Sequence, residues 1–132
     1  MTSPTQARPV FRQFHDIPQE TVEVGGIQQA GYRMIFSADR TDTQGMTLGI
    51  ATIGPDNPLP RHHHAHAEIY LCLDGEAEVT VEDKQFRLTS GNALFIPGEL
   101  EHAVHASSAA RLLFAFAADS YEEVQYVYLE TR

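Results

Sequence analysis

Turn-forming residues interrupt this chain so often that no long helix fits between them. Gly25-Gly26, Thr43-Gln44-Gly45, Gly54-Pro55-Asp56-Asn57-Pro58, Asp74-Gly75, Asp83-Lys84, Ser90-Gly91-Asn92, Pro97-Gly98 and Ser107-Ser108 supply the glycines, prolines and short polar side chains that tight turns use. The runs between them predict strands at Tyr32–Phe36, Thr47–Ile53, Ile69–Leu73, Glu76–Glu82, Gln85–Leu88, Ala93–Ile96, Ala103–His105 and Arg111–Phe116, with a last extended piece at Val124–Leu129. Only Asp119–Gln125 offers a helical turn. Short strands at regular spacing predict an all-β fold, a small antiparallel β-barrel or jelly roll. Runs such as Leu94-Phe95-Ile96 are apolar on both faces. One face then fills the barrel and the other needs a cover, which predicts a homodimer built on outward residues such as Ile69, Leu71 and Leu73.

At 132 residues the chain suffices for one core. We expect a flexible lead-in over residues 1–9 and a single domain over 10–132. With 42% hydrophobic and 20% charged residues it is an ordinary globular sequence, not a disordered one. The net charge of -9, with lysines and arginines scattered singly, excludes a phosphate-neutralising patch and hence a nucleic-acid partner. The one cysteine, Cys72, lies in an apolar run and reads as a small buried hydrophobe. No secretory signal or bilayer-length apolar run is present, so the expectation is a cytoplasmic protein with no membrane partner.

The chemistry is concentrated in Pro60-Arg61-His62-His63-His64-Ala65-His66-Ala67-Glu68-Ile69-Tyr70, with four imidazoles, a carboxylate and a phenol in eleven residues. On an extended strand His62 and His64 point to the same side, because side chains alternate. Glu68, Tyr70 and Cys72 share a face by the same rule, opposite Ile69, Leu71 and Leu73. His63 alternates away from the pair, His66 is expected to be exposed at a turn, and His15 and His105 read as surface or packed residues. Further on, Gly91 opens a turn, and Pro97-Gly98-Glu99-Leu100-Glu101-His102 returns another histidine after a strand.

These residues resemble the two motifs of the cupin superfamily. The first motif is two histidines separated by one residue, a glutamate four later and a glycine seven beyond it, as in His62, His64, Glu68 and Gly75. The second is met by Gly91, Pro97 and His102. Glu99 stands where that motif has its second glycine, and neighbouring Gly98 is expected to supply the backbone freedom instead; Ala106 replaces a frequent asparagine, and Asp56 the glycine that opens the first motif. The resemblance implies that His62, His64, Glu68 and His102 bind one divalent metal inside the barrel. Three imidazoles and a carboxylate suit Fe(II), Mn(II), Ni(II), Zn(II), Co(II) or Cu(II). Four protein ligands would close a tetrahedral zinc site, whereas an octahedral ion keeps two positions open, which favours Fe(II), Mn(II) or Ni(II).

Glu68-Ile69-Tyr70, Glu101-His102-Ala103 and Tyr121-Glu122-Glu123-Val124-Gln125-Tyr126 also resemble the small single-domain cupin lyases that cleave dimethylsulfoniopropionate. In them a tyrosine two after the glutamate ligand lies beside the metal and a C-terminal tyrosine closes the pocket; Tyr70 and Tyr126 match. This implies a small carboxylate substrate, with Tyr70 as base in an elimination giving dimethyl sulfide and acrylate. Tyr126, with Tyr32 or Phe36, would hold the cationic head by cation–π contact. The plainer role for Tyr126 is an aromatic edge shared with Tyr121 and Tyr128, and for Tyr70 a core tyrosine. An Fe(II)-dependent dioxygenase of a small acid and a metal-anchored binding protein without turnover fit the same ligands.

Overall fold

The computed structural model describes residues 8–129, so most of the expected lead-in, residues 1–7, lies outside the described chain. Among the described residues the strands are β1 (Glu20–Val24), β2 (Ile27–Phe36), β3 (Thr47–Ile53), β4 (Leu59–His63), β5 (Glu68–Asp74), β6 (Glu76–Val81), β7 (Lys84–Thr89), β8 (Ala93–Ile96), β9 (His102–His105), β10 (Ala110–Phe116) and β11 (Val127–Tyr128). They form two antiparallel sheets, ordered β1-β2-β3-β10-β5-β8 and β11-β4-β9-β6-β7. The sheets face each other over one core of Met34, Ile53, Val79, Ile96, Val104 and Leu112. This is the expected jelly roll, and among the described residues no helix is long and apolar enough to cross a membrane.

Alternation decides which residues enter that core. On β10, Ala110, Leu112, Phe114 and Phe116 are buried while Arg111, Leu113 and Ala115 face outward; on β5, Glu68, Tyr70 and Cys72 turn inward together, as expected, and Ile69 is exposed. Gly75, which ends the first motif, follows β5 at φ +77°, and a Cβ there would lie 2.4 Å from the Ala109 carbonyl oxygen. Its spacing in the motif thus reflects both a left-handed turn and a close approach to the start of β10.

Several elements differ from the sequence expectation. β1 and the first part of β2 form an additional hairpin closed by Gly25-Gly26; the acidic Glu20 and Glu23 hide the alternation of this edge strand. The C-terminal strand is confined to Val127–Tyr128, because Val124 turns into the core and caps a 3-10 turn at Tyr121–Glu123. A second 3-10 turn, Phe14–Asp16, joins the one expected near the C-terminus.

β4 was hidden by a bulge. It pairs with β9 through Leu59↔Val104 and His62↔His102, so three steps on β4 match two on β9. Pro60, which lacks an N–H to donate to the ladder, stands inside the interruption. The extra residue resets the parity, so Leu59 and His62 both face inward with Pro60 and Arg61 between them.

Candidate metal centre

β4 with the residue that follows it, β5 and β9 bring His62, His64, Glu68 and His102 to the same place between the sheets. One ligand atom from each lies within 4.8 Å of all the others. Exposure is 0% for His62 and His102 and 2% for His64 and Glu68. His62 and His102 are direct cross-strand partners with ring centroids 4.2 Å apart, and Glu68 enters from the facing sheet.

The backbone sets the tautomer of each ring. Nδ1 of His62 lies 2.8 Å from the Pro60 carbonyl, Nδ1 of His64 2.8 Å from that of His66, and Nδ1 of His102 2.9 Å from that of Leu100. Carbonyls only accept, so each Nδ1 carries a proton and each ring directs its Nε2 inward. Nε2 of His64 and of His102 each lie 3.2 Å from Glu68 Oε1, while His62 Nε2 is buried with no partner. Burial and the neighbouring His102 push the His62 pKa down to about 3, so this ring is neutral. Burial pushes the Glu68 carboxyl up, but His102 and His64 outweigh it and hold it below the ordinary carboxylate range.

Four donor atoms, one of them an orphaned lone pair, therefore converge on a point that requires positive charge. Protons shared with Glu68 can satisfy two of these contacts and leave His62 Nε2 unpaired; a divalent cation satisfies all four. The residues fit a first-row transition metal, as the sequence led us to expect.

All five tyrosines of the chain gather around this centre. Tyr32, Tyr70, Tyr121 and Tyr126 line the adjoining cavity with Glu68. Tyr126 stacks on His62 at 4.7 Å and 16°, and Tyr128 lies 5.4 Å from the same ring. Tyr126 thus reaches the candidate ligands and also belongs to the aromatic edge with Tyr121 and Tyr128. Tyr70 is 2% exposed, and its hydroxyl lies near the Glu68 carboxylate without completing a hydrogen bond. Burial and the Glu68 charge raise both the Tyr70 and the Tyr126 phenol well above the usual value. These side chains leave only about 20 Å³ of free space in the cavity.

Other candidates fall outside. Phe36 borders a separate outer groove with Met46 and Leu48, so of the two residues considered for the cationic head only Tyr32 lines the cavity. His15 and His105 are exposed and His63 is half-buried on the opposite side of β4 from the ligands. His66, expected to be exposed, is half-buried, and its carbonyl orients His64. Cys72 is a buried core residue, 1% exposed.

The second motif works differently from its sequence reading. Glu99 itself takes the left-handed conformation, at φ 72°, and its N–H donates to the His64 carbonyl at 2.7 Å. Gly98 is needed for space: a Cβ there would lie 2.1 Å from the Ala65 carbonyl oxygen. Gly98 and Glu99 therefore press the turn before His102 against the turn after His64. Sequence reasoning also passed over Arg61 and Glu101, which flank two of the ligands and pair with each other at 2.8 Å. Residues 40 apart carry no pattern that would reveal that contact.

Comparison with known proteins agrees with this geometry. The family model described as Cupin domain matches residues 49–116. The chain is 33% identical over 118 residues to dimethylsulfoniopropionate lyase DddW of Ruegeria pomeroyi, covering 85% of this chain and 78% of the relative. Among solved structures, the polyketide cyclase RemF from Streptomyces resistomycificus superposes with TM-score 0.76 at 19% identity, covering 93% of this chain and 88% of the other. The structure of FeII HppE superposes with TM-score 0.66 at 19% identity, covering 82% and 60% respectively.

Proposed function

This chain belongs to the cupin family, and on that premise we propose that it is a metal-dependent lyase that removes a β-substituent from a small carboxylate, with dimethylsulfoniopropionate as candidate substrate. The observation that carries the proposal is the convergence of three Nε2 atoms and the Glu68 carboxylate beside the buried, partnerless Tyr70 hydroxyl. Its relation to a dimethylsulfoniopropionate lyase supplies the reaction class.

His62, His64, Glu68 and His102 would hold a divalent ion, for which Fe(II), Mn(II) or Ni(II) is favoured, and that ion would supply the Lewis acidity that makes a C–H beside a substrate carboxylate easier to remove. Tyr70 is the base. Its phenol is raised by burial and by Glu68, and positive charge at the ligand cluster opposes both effects and favours the phenolate. Tyr70 Oη takes the α-proton, the C–H electrons form the new C=C bond, and the C–S pair leaves with sulfur as neutral dimethyl sulfide, giving acrylate. Tyr126 and Tyr32 present ring faces to the sulfonium, and the enclosing tyrosines exclude water.

We extend the proposal to a cytoplasmic homodimer. On the outer face of the larger sheet, the cross-strand rows Phe95–Ile69–Ala115–Leu48 and Ala93–Leu71–Leu113–Ile50 form a continuous apolar surface with Phe95 63% and Ile69 46% exposed.

The test loads metal-stripped protein separately with Fe(II), Mn(II), Ni(II) and Zn(II), adds dimethylsulfoniopropionate, and measures headspace dimethyl sulfide and oxygen uptake beside a His62→Ala control. Metal-dependent dimethyl sulfide absent from the control supports the lyase. Oxygen uptake without dimethyl sulfide replaces it with dioxygenase chemistry. The Tyr70→Phe variant should keep metal and lose turnover, and full activity in that variant removes Tyr70 as base.

A further inference from the structure

We propose that Arg61 and Glu101 are a positioning pair that holds the His62–His102 spacing across the β4 bulge. The inference rests on the metal-centre reading and concerns how that centre is kept in register. A bulge interrupts the ladder hydrogen bonds where it occurs, and this one lies between Leu59 and His62, next to a ligand. The backbone alone therefore constrains β4 least where the spacing of two imidazoles matters most.

Arg61 spans that interruption from the outer side. Its Nε donates to Glu101 Oε1 at 2.8 Å and a terminal nitrogen donates to the Glu82 carbonyl at 3.0 Å, with the Glu82 carboxylate 3.8 Å away. Arg61 immediately precedes His62, and Glu101 immediately precedes His102. The far end is itself fastened, since Glu82 N–H donates to the Glu101 carbonyl at 2.8 Å and Glu82 adopts φ 55°. The Arg61 carbonyl accepts from Leu129 N–H at 3.1 Å, which adds the segment carrying Tyr126 and Tyr128 to the same joint. One guanidinium thus ties together the backbone on both sides of the ligand pair.

The side chains are 34% and 36% exposed, so the ion pair adds little to the stability of the metal-free fold. Its effect falls on metal affinity, where loss of groups that orient ligands costs roughly 10- to 100-fold. The test measures Co(II) affinity by chelator competition, the Co(II) absorption spectrum and the metal-free melting temperature for the parent, Arg61→Ala, Arg61→Lys, Glu101→Gln and the double variant Arg61→Ala/Glu101→Gln. We expect affinity to fall about tenfold in Arg61→Ala and Glu101→Gln, with no further loss in the double variant, an altered spectrum and an unchanged melting temperature. Arg61→Lys, retaining charge without the fork, should fall between parent and Arg61→Ala. Parental affinity in the single variants overturns the pair's role, as does a loss explained wholly by a lower metal-free melting temperature. A parent that takes up no Co(II) overturns the metal-centre reading itself, a different result from a parent that binds while the variants bind equally well.

Discussion

Adding one methyl group at Gly98 should damage the metal centre without touching a ligand. An ideal Cβ at this position falls 2.1 Å from the Ala65 carbonyl oxygen and 3.1 Å from its carbon. A relaxed C···O contact needs roughly 3.3 Å or more, so the two turns must separate by about 1 Å. The obstacle is backbone and cannot rotate away. Separation stretches the 2.7 Å bond from Glu99 N–H to the His64 carbonyl and disturbs the His66 carbonyl that holds His64 Nδ1. Overpacking costs about 1–3 kcal/mol and the weakened hydrogen bond about 1 kcal/mol, so Gly98→Ala should destabilise the metal-free protein by about 2–4 kcal/mol. Ligand geometry tolerates displacements of only about 0.5 Å, so metal affinity should fall at least about tenfold. Urea unfolding of the metal-free protein and chelator competition measure the two effects. Gly54→Ala is the control, because a Cβ there meets nothing closer than 3.9 Å. A Gly98→Ala protein matching Gly54→Ala in both assays would refute the joint between these turns.

Acidification should destabilise the metal-free protein. The His62 pKa is about 3 when folded against 6.5 when free, so below pH 6.5 the unfolded chain binds the extra proton and stability falls with pH, by about 2 kcal/mol from this ring between pH 8 and pH 5; urea titrations at both pH values, with His62→Phe removing the difference, check it. Glu99→Gly should raise stability by up to about 1 kcal/mol by relieving a left-handed non-glycine residue, read as a higher urea midpoint. Phe95→Glu combined with Ile69→Glu should convert a dimer to a monomer in sedimentation at micromolar concentration, and a monomeric parent would refute the proposed interface.

The candidate ligand set was legible in the sequence through its resemblance to the two cupin motifs, and local rules account for part of that spacing. Parity on a strand aligns His62 with His64 and Glu68 with Tyr70, and the turn signals around Gly91 and Pro97 bring His102 back. Parity also sorted Ile69 to the outside. It failed at the bulge, where Leu59 and His62 face the same way three residues apart, because a bulge depends on the pairing partner as much as on the strand. It failed again on the C-terminal segment, where Val124 is pulled into the core and leaves Tyr126 to be placed by stacking on His62. Tyr32 and Tyr121 reach the cavity from distant segments and meet at 5.5 Å, a contact with no sequence periodicity.

Gly98 and Glu99 show what a motif spacing records. A glycine can be required for its φ or for its missing Cβ, and the letter does not say which. At Gly75 both requirements fall on one residue. In the turn before His102 they are divided: Gly98 gives up its Cβ to the Ala65 carbonyl, while Glu99 accepts the left-handed conformation. The strain at Glu99 is tolerated because its N–H reaches the His64 carbonyl and joins the turn to a ligand-bearing segment. The departure from the motif therefore leaves the ligand geometry intact. What the site requires at this turn is the contact between two backbones, and any residue that permits a left-handed φ with its N–H directed at His64 can provide it.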